Sequence, residues 1–137
     1  MTNVLITGCS SGIGACAARQ LHQQGYNVIA TVRKNQDILP LQQLGITTII
    51  LDLANSDSIQ QAVTFSLNHF NNQIDALFNN GAYGQPGAVE DLSRDVLRQQ
   101  FETNVFGTQE LTNLIIKQMR QQGFGRIIYN SSVLGFI

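Results

Sequence analysis

Charge is scarce in this chain: only 12% of its 137 residues are Asp, Glu, Lys or Arg, and the formal net charge is −1. So thin and balanced a charge offers no basic surface to nucleic acid and no pull toward an anionic membrane, and neither is expected as a partner. Cysteine is scarce as well. The two present, Cys9 and Cys16, lack zinc-ligand spacing, and His22 alone completes no ligand set, so no metal site is expected. Both thiols read as small, half-buried side chains beside a glycine turn. No apolar run approaches membrane-spanning length. A strand pattern begins almost at the N-terminus, which leaves no room for a signal or transit peptide and makes the cytoplasm the expected location.

What the chain has in abundance is carboxamide, with sixteen Gln and twelve Asn. They are dispersed (Gln20, Gln23, Gln24, Gln60, Gln61, Gln99, Gln100) and read as solvated helix surface, not as a low-complexity tract. Hydrophobic residues make up 43% of the sequence, and the length suits one domain with one substantial core.

Short β-rich apolar runs alternate with helix-period stretches. The strands expected are Val4–Thr7, Val28–Val32, Thr48–Asp52, Ala76–Asn79 and Ile127–Asn130. Helices are expected from about Ile13 to Gln24, Ile38 to Leu44, Ser56 to Phe70 and Ser93 to Gln122. The strands are near-continuous apolar runs, which suits a parallel sheet covered on both faces. Strand–helix alternation with short connections then gives right-handed crossovers and a doubly wound α/β sheet. Ser56 is a plausible N-cap, and Gly25 and Gly123 suit helix C-termini. Along the last helix, Leu97, Phe101, Val105, Ile115 and Met119 form a stripe continued by Thr108 and Thr112, with Phe106, Leu111 and Leu114 displaced from it. A belt that wide predicts two buried faces, one against the sheet and one against a partner subunit.

The richest segment is Thr7-Gly8-Cys9-Ser10-Ser11-Gly12-Ile13-Gly14, which follows Val4-Leu5-Ile6 and leads into a helix. Gly8 and Gly12 permit a tight turn that lets main-chain N–H groups approach an anion, Gly14 permits close helix–strand packing, and the helix start adds its positive dipole end. After the second strand no carboxylate appears to bind ribose hydroxyls. Arg33 and Lys34 stand there instead, and two cations favour a 2′-phosphate, hence NADP(H) over NAD(H). Asp52 ends the third strand at the edge where ligands of open α/β sheets bind. It can accept from an adenine amino group or start the next helix, and spacing alone does not decide.

Four motifs in order carry a resemblance to the short-chain dehydrogenase/reductase family: Thr7–Gly14, Asn79-Asn80-Gly81-Ala82, Asn104 within Asn104-Val105-Phe106-Gly107, and Ser131-Ser132. The form Gly-Cys-Ser-Ser-Gly-Ile-Gly with a later Val-Arg resembles its NADP-preferring hydroxysteroid and retinol dehydrogenase branch. The family's usual Asn-Asn-Ala-Gly is exchanged here to Asn-Asn-Gly-Ala, which should leave the cofactor wall passable. The resemblance implies a Rossmann-type sheet of order 3-2-1-4-5 over residues 1–137, the N-terminal part of a single dinucleotide-binding domain. It also implies hydride transfer between a nicotinamide and a small carbonyl or secondary alcohol. Ser11 and Arg33 would meet the 2′-phosphate, Ile13 the pyrophosphate region, Asp52 the adenine and Asn80 the adenosine ribose. Gly8, Ser10, Gly12, Gly14, Leu53, Gly81 and Ala82 complete the implied cofactor contacts. Ser132 would hydrogen-bond the substrate oxygen, and Asn104 would anchor a water in a proton relay through a helix distortion. Without the resemblance, Ser132 is a serine ending a strand and Asn104 a polar residue at a kink beside Gly107.

One implied part is absent. The family's proton-transfer Tyr, with a Lys one helical turn later to lower its pKa, follows the strand bearing the Ser. Neither Tyr26, Tyr83 nor Tyr129 has a Lys four residues on, and the sequence stops at Ile137. Family members run to roughly twice this length. The expectation is therefore a chain truncated after the fifth strand and inactive alone, its full-length relative a homo-oligomer. The alternative is a non-catalytic nucleotide-binding module or partner subunit. A different enzyme class on a similar sheet, such as a methyltransferase, is disfavoured by the missing carboxylate after the second strand.

Overall fold

In a computed structural model, which describes residues 1–135, five parallel strands form one sheet in the order β3-β2-β1-β4-β5. The strands are β1 (Asn3–Ile6), β2 (Asn27–Val32), β3 (Thr47–Ile50), β4 (Ala76–Asn79) and β5 (Arg126–Tyr129). Leu5 sits between Ile29 and Leu77 in register, so the centre of the sheet is an aliphatic row. Four of the five expected strands begin one residue early, and the order is the one the family resemblance implied.

Pleating sorts the side chains into two layers. Val4, Ile6, Val28, Ala30 and Val32 point to one face, under Ala18 of α1 (Gly12–Gln23) and Leu41 of α2 (Ile38–Gln42). Leu5, Ile29 and Leu77 point to the other. There they pack with Ile59, Ala62 and Val63 of α3 (Ser56–His69) and with Leu111, Ile115 and Met119 of α5 (Thr108–Gln122). Burial on both faces explains why the strands read as continuous apolar runs.

The helix starts refine the sequence reading. Asn55, not Ser56, caps α3, its Oδ1 accepting from the Ser58 N–H at 3.0 Å. The long last helix is not continuous. It begins at α4 (Arg94–Phe101), capped by Ser93, and then widens into a π turn, Glu102–Gly107, before α5. The Thr108 hydroxyl donates to the Thr103 carbonyl five residues back, at 3.3 Å. The extra residue in that turn shifts the helical phase by about a quarter turn or more, which splits the apolar stripe. Beyond it, Thr108, Leu111, Thr112, Ile115 and Met119 are buried on the sheet, Leu111 included. Before and within it, Leu97, Phe101, Val105 and Phe106 are exposed, and the Phe101 and Phe106 rings lie 6.2 Å apart. Gly123 ends α5 at φ 80°, as a C-terminal glycine does.

The amides are not all solvated surface. Gln122 clamps the turn before β4: its Nε2 donates to the carbonyls of Ile74 (2.7 Å) and Phe124 (2.8 Å), and its Oε1 accepts from the Ile74 N–H. A helix-end side chain thus ties two strand entries together, a role no periodicity signals.

Candidate functional site

All five strands end at the same edge of the sheet, and the segment after β1 is sewn between its neighbours. The Thr7 N–H donates to the Phe78 carbonyl at 3.0 Å and the Cys9 N–H to the Thr31 carbonyl at 2.8 Å. The Thr7 hydroxyl oxygen accepts from the N–H groups of Asn80 (3.0 Å) and Gly81 (2.7 Å). The Asn80 amide closes the turn from the other side, donating to the carbonyls of Thr7 (3.0 Å) and Gly8 (3.1 Å). Its Oδ1 accepts from Asn130 Nδ2 at 2.9 Å, which links the end of β5 to the same turn.

Two glycines are required here by sterics. Gly8 has φ +71°, and a Cβ on it would stand 2.7 Å from the Gly81 Cα. A Cβ on Gly14 would stand 2.3 Å from the Gly8 carbonyl oxygen and 2.6 Å from Asn80 Nδ2. The result is a turn that lies flat against β4 and delivers the start of α1 to the strand edge. Ser11, at the N-cap, is extended and makes no side-chain capping bond, and the first turn holds no acidic residue. The helix start therefore keeps its positive end for an anion.

A cleft opens beside this turn, walled by Gly8 and Ser10, by Thr31, Val32 and Arg33 after β2, by Leu51, Asp52 and Leu53 after β3, and by Gly81, Ala82 and Tyr83 after β4. Thr103, in the π turn, completes it. A second, polar recess adjoins it, lined by Ser10, Ser11, Arg33, Lys34, Gln36 and Asp37. Ser10 and Arg33 belong to both. Two cations against one carboxylate make that recess suited to an anion.

Of the residues the sequence singled out, Gly8, Ser10, Arg33, Asp52, Leu53, Gly81 and Ala82 line the cleft, and Ser11 lines the recess. Gly12 and Ile13 are exposed at the start of α1, whereas Gly14 is buried beneath it. Asn80 lies behind the cleft wall with its amide given to the turn. Asp52 lines the cleft and also starts the approach to α3. Its Oδ1 accepts from the Ala54 N–H at 3.0 Å, and its own N–H donates to the Ser58 hydroxyl at 2.9 Å. Asp52 thus braces the loop before α3 without capping the helix, the cap being Asn55.

Ser132 and Asn104 are not in the cleft. Ser132 is exposed, its Oγ accepting from the Leu134 N–H at 3.2 Å. Asn104 sits in the π turn and brackets one residue: its Oδ1 accepts from the Tyr83 N–H (3.1 Å) and its Nδ2 donates to the Tyr83 carbonyl (2.7 Å). The helix distortion is therefore bolted to the cleft wall. Thr7, Thr31, Tyr83 and Thr103 were given no cofactor role from the sequence. For Thr7 the signal was its place at the strand end, while Thr103 is brought in only by the π turn. Tyr129 is tied down, its hydroxyl donating to Thr112 Oγ1 at 2.9 Å, which also accepts from Asn79 Nδ2 at 3.0 Å.

The cysteines separate. Cys16 is exposed, contrary to its expected half-burial, because its position on α1 faces away from the sheet. Cys9 is fully buried, and loss of water pushes its thiol from 9.0 up to about 12, against a smaller lowering from its bond to the Thr31 backbone. The folded thiol stays protonated where the unfolded one ionises. Its contribution to stability is therefore complete below about pH 9 and is lost as pH rises toward about 12. The urea midpoint of the wild type should fall more steeply over that window than that of Cys9→Ala. Parallel declines would remove the thiol as the cause. Among the described residues no cluster of His, Cys, Asp and Glu could hold a metal ion, and no helix is long and apolar enough to cross a membrane.

Residues 2–137 match the sequence model of the short chain dehydrogenases. The chain belongs to this family. It is 38% identical over 135 residues to the uncharacterized oxidoreductase YbbO of Escherichia coli K12, covering 98% of this chain and 50% of that protein. It is 34% identical over 142 residues to human retinol dehydrogenase 8, covering 96% and 44%. A short-chain dehydrogenase from Streptomyces avermitilis superposes with a TM-score of 0.93 at 32% identity, over 99% of this chain and 51% of that one. An actinorhodin polyketide ketoreductase crystallised with NADPH gives 0.90 at 26% identity, over 99% and 55%. The chain thus spans about half the length of the curated relatives it matches. The family is one of oxidoreductases that bind NAD(P).

Proposed function

We propose that this chain is the nucleotide-binding half of an oxidoreductase that moves hydride between NADP(H) and a small carbonyl or secondary alcohol. The observation that carries this reading is the pair of adjoining depressions sharing Ser10 and Arg33: one fit for an adenosine, the other, polar and cationic, for its 2′-phosphate. The residues present fit the group. Ser10, Ser11, Gly12 and Ile13 are exposed in the Gly8–Gly14 turn, and a Cβ on Gly12, at φ +57°, would project into open space where an anion can approach.

In this reading Arg33 and Ser11 hold the 2′-phosphate, Asp52 accepts from the adenine amino group, and Leu53, Gly81 and Ala82 line the base and its ribose. Gly8, Ser10, Gly12, Ile13 and Gly14 present the turn and the helix start to the pyrophosphate. Asn80 acts one step back, by fixing the turn. The bound nicotinamide would supply or take the hydride. Ser132 would hydrogen-bond the substrate oxygen, and Asn104 would hold the adjoining wall and the relay water. With no Tyr-x-x-x-Lys pair among its 137 residues, the chain has no tuned proton donor and by itself turns over no substrate. The hydroxysteroid and retinol dehydrogenases are the branch whose sequence form it shares, and the match to human retinol dehydrogenase 8 supports that placement. The exposed Leu97, Phe101, Val105 and Phe106 support a helix-mediated homo-oligomer in the full-length relative.

Calorimetric titration tests the preference. Saturable binding of NADPH, tighter than NADH by roughly tenfold or more, is expected from one charge-assisted phosphate contact. Equal affinity for the two would refute the role given to Arg33, and a measurable turnover of a ketone panel by the purified chain would refute its inactivity.

A further inference from the structure

Asn80 and Gly81 form the sole Asn-Gly pair in the sequence. The exchange of two small residues after β4 is what creates it. An asparagine before glycine is open to attack by its own backbone, because glycine has no Cβ to screen the following amide nitrogen. We propose that Asn80–Gly81 is a deamidation site held in check by Thr7, and that its conversion to aspartate disables the nucleotide cleft.

The reaction needs only water. The deprotonated Gly81 nitrogen attacks Cγ of Asn80, the bond from Cγ to the side-chain nitrogen breaks, and ammonia leaves a succinimide. Water then opens the ring at either carbonyl, giving aspartate or isoaspartate at position 80. No oxidation or reduction occurs.

The fold engages each participant in this step. The nucleophile's proton is donated to Thr7 Oγ1 at 2.7 Å. The leaving amide is held by the Thr7 and Gly8 carbonyls at 3.0 and 3.1 Å, and the Asn80 Oδ1 accepts from Asn130 at 2.9 Å. Reaching the cyclic geometry means breaking these bonds together. Both residues are nevertheless only half-buried, so water has access whenever the strand ends part.

The product opposes the fold that protected its precursor. A carboxylate oxygen would replace an N–H₂ group in front of two carbonyl oxygens, exchanging two hydrogen bonds for repulsion. Gly8 and Gly81, which line the cleft, are the residues this pushes apart. An isoaspartate adds a backbone atom where the segments after β1 and β4 pass close together and Gly8 tolerates no Cβ.

Peptide mass mapping with isoaspartate detection, after timed incubation of the full chain in mildly alkaline buffer, tests the first clause. Conversion should appear first at residue 80 and proceed roughly tenfold or more faster in guanidinium than in the folded chain, the factor one protecting hydrogen bond supplies. Thr7→Val should approach the unfolded rate, Thr7→Ser should stay near the wild type, and Gly81→Ala should suppress conversion in either state. First conversion at Asn55 or Asn130, each followed by serine, would overturn the site. Equal rates folded and unfolded would overturn the protection, whether or not Thr7→Val folds. For the second clause, Asn80→Asp should weaken NADPH by roughly ten- to a hundredfold, and wild-type affinity would overturn it. This arm rests on the nucleotide reading. If the wild type binds no NADPH that reading fails, while the mass map still decides the chemistry.

Discussion

Gly107→Ala is expected to destabilise the fold by about 3 kcal/mol or more, although helix propensity alone would favour alanine by about 1 kcal/mol. Gly107 closes the π turn, and a Cβ there would stand 1.7 Å from the Leu53 carbonyl oxygen and 2.6 Å from its carbon. Backbone cannot rotate aside as a side chain does. Either the loop after β3 moves, carrying Asp52 with it, or the helix lifts off the sheet and uncovers Leu111 and Ile115, both fully buried. In urea the midpoint should drop by roughly 1–3 M with an unchanged slope. Gly84→Ala is the control, since nothing lies within 4 Å of a Cβ there, and it should shift stability by no more than about 0.5 kcal/mol. An unaltered midpoint in Gly107→Ala would mean that the π turn does not press on the loop after β3 as described.

Arg33→Glu is expected to weaken NADPH by roughly ten- to a hundredfold while leaving NADH within about threefold. Arg33 sits in both the cleft and the recess, and the only feature separating the two cofactors is the phosphate that the recess would hold. Arg33 is exposed, so solvent screens it, and the lower half of that range is the better expectation. The same exposure makes the effect salt-dependent: the gap between variant and wild type should narrow as ionic strength rises. Lys34, its neighbour in the recess, keeps some attraction in place. If both nucleotides weaken equally, Arg33 supports the loop after β2 and does not read the phosphate.

The fold was open to reading in the sequence because its signals are local. Val4-Leu5-Ile6 before a glycine turn is a buried strand feeding a helix, and Gly14 was legible by its place in that turn, although Asn80, far away in the chain, also crowds it. The cleft lining was legible for the same reason: Gly8, Arg33, Asp52 and Ala82 lie at strand ends, and a parallel sheet gathers strand ends at one edge. The parts that could not be read are long-range. Asn80 faces carbonyls more than seventy positions away in the chain, so its bond to the turn has no signature in its own segment. Asn104 and Gly107 announced a distortion, but not that the extra residue would rotate Leu111 into the core and leave Phe101 and Phe106 outside. Asn55 displaced Ser56 as a cap because either side chain suits that role, and the difference is a single residue of backbone phase.

In the proposed reading the Thr7–Gly14 turn and the strand ends beside it bind a dinucleotide by its adenosine half. Amide chemical-shift mapping of the labelled chain during titration with NADPH tests it most directly. Saturable shifts confined to Gly8, Ser10 to Gly14, Arg33, Asp52 and Gly81–Tyr83, reproduced by adenosine 2′,5′-bisphosphate alone, are the result expected. Shifts that fail to saturate, or that centre on β5 and α5 away from the glycine turn, would contradict it.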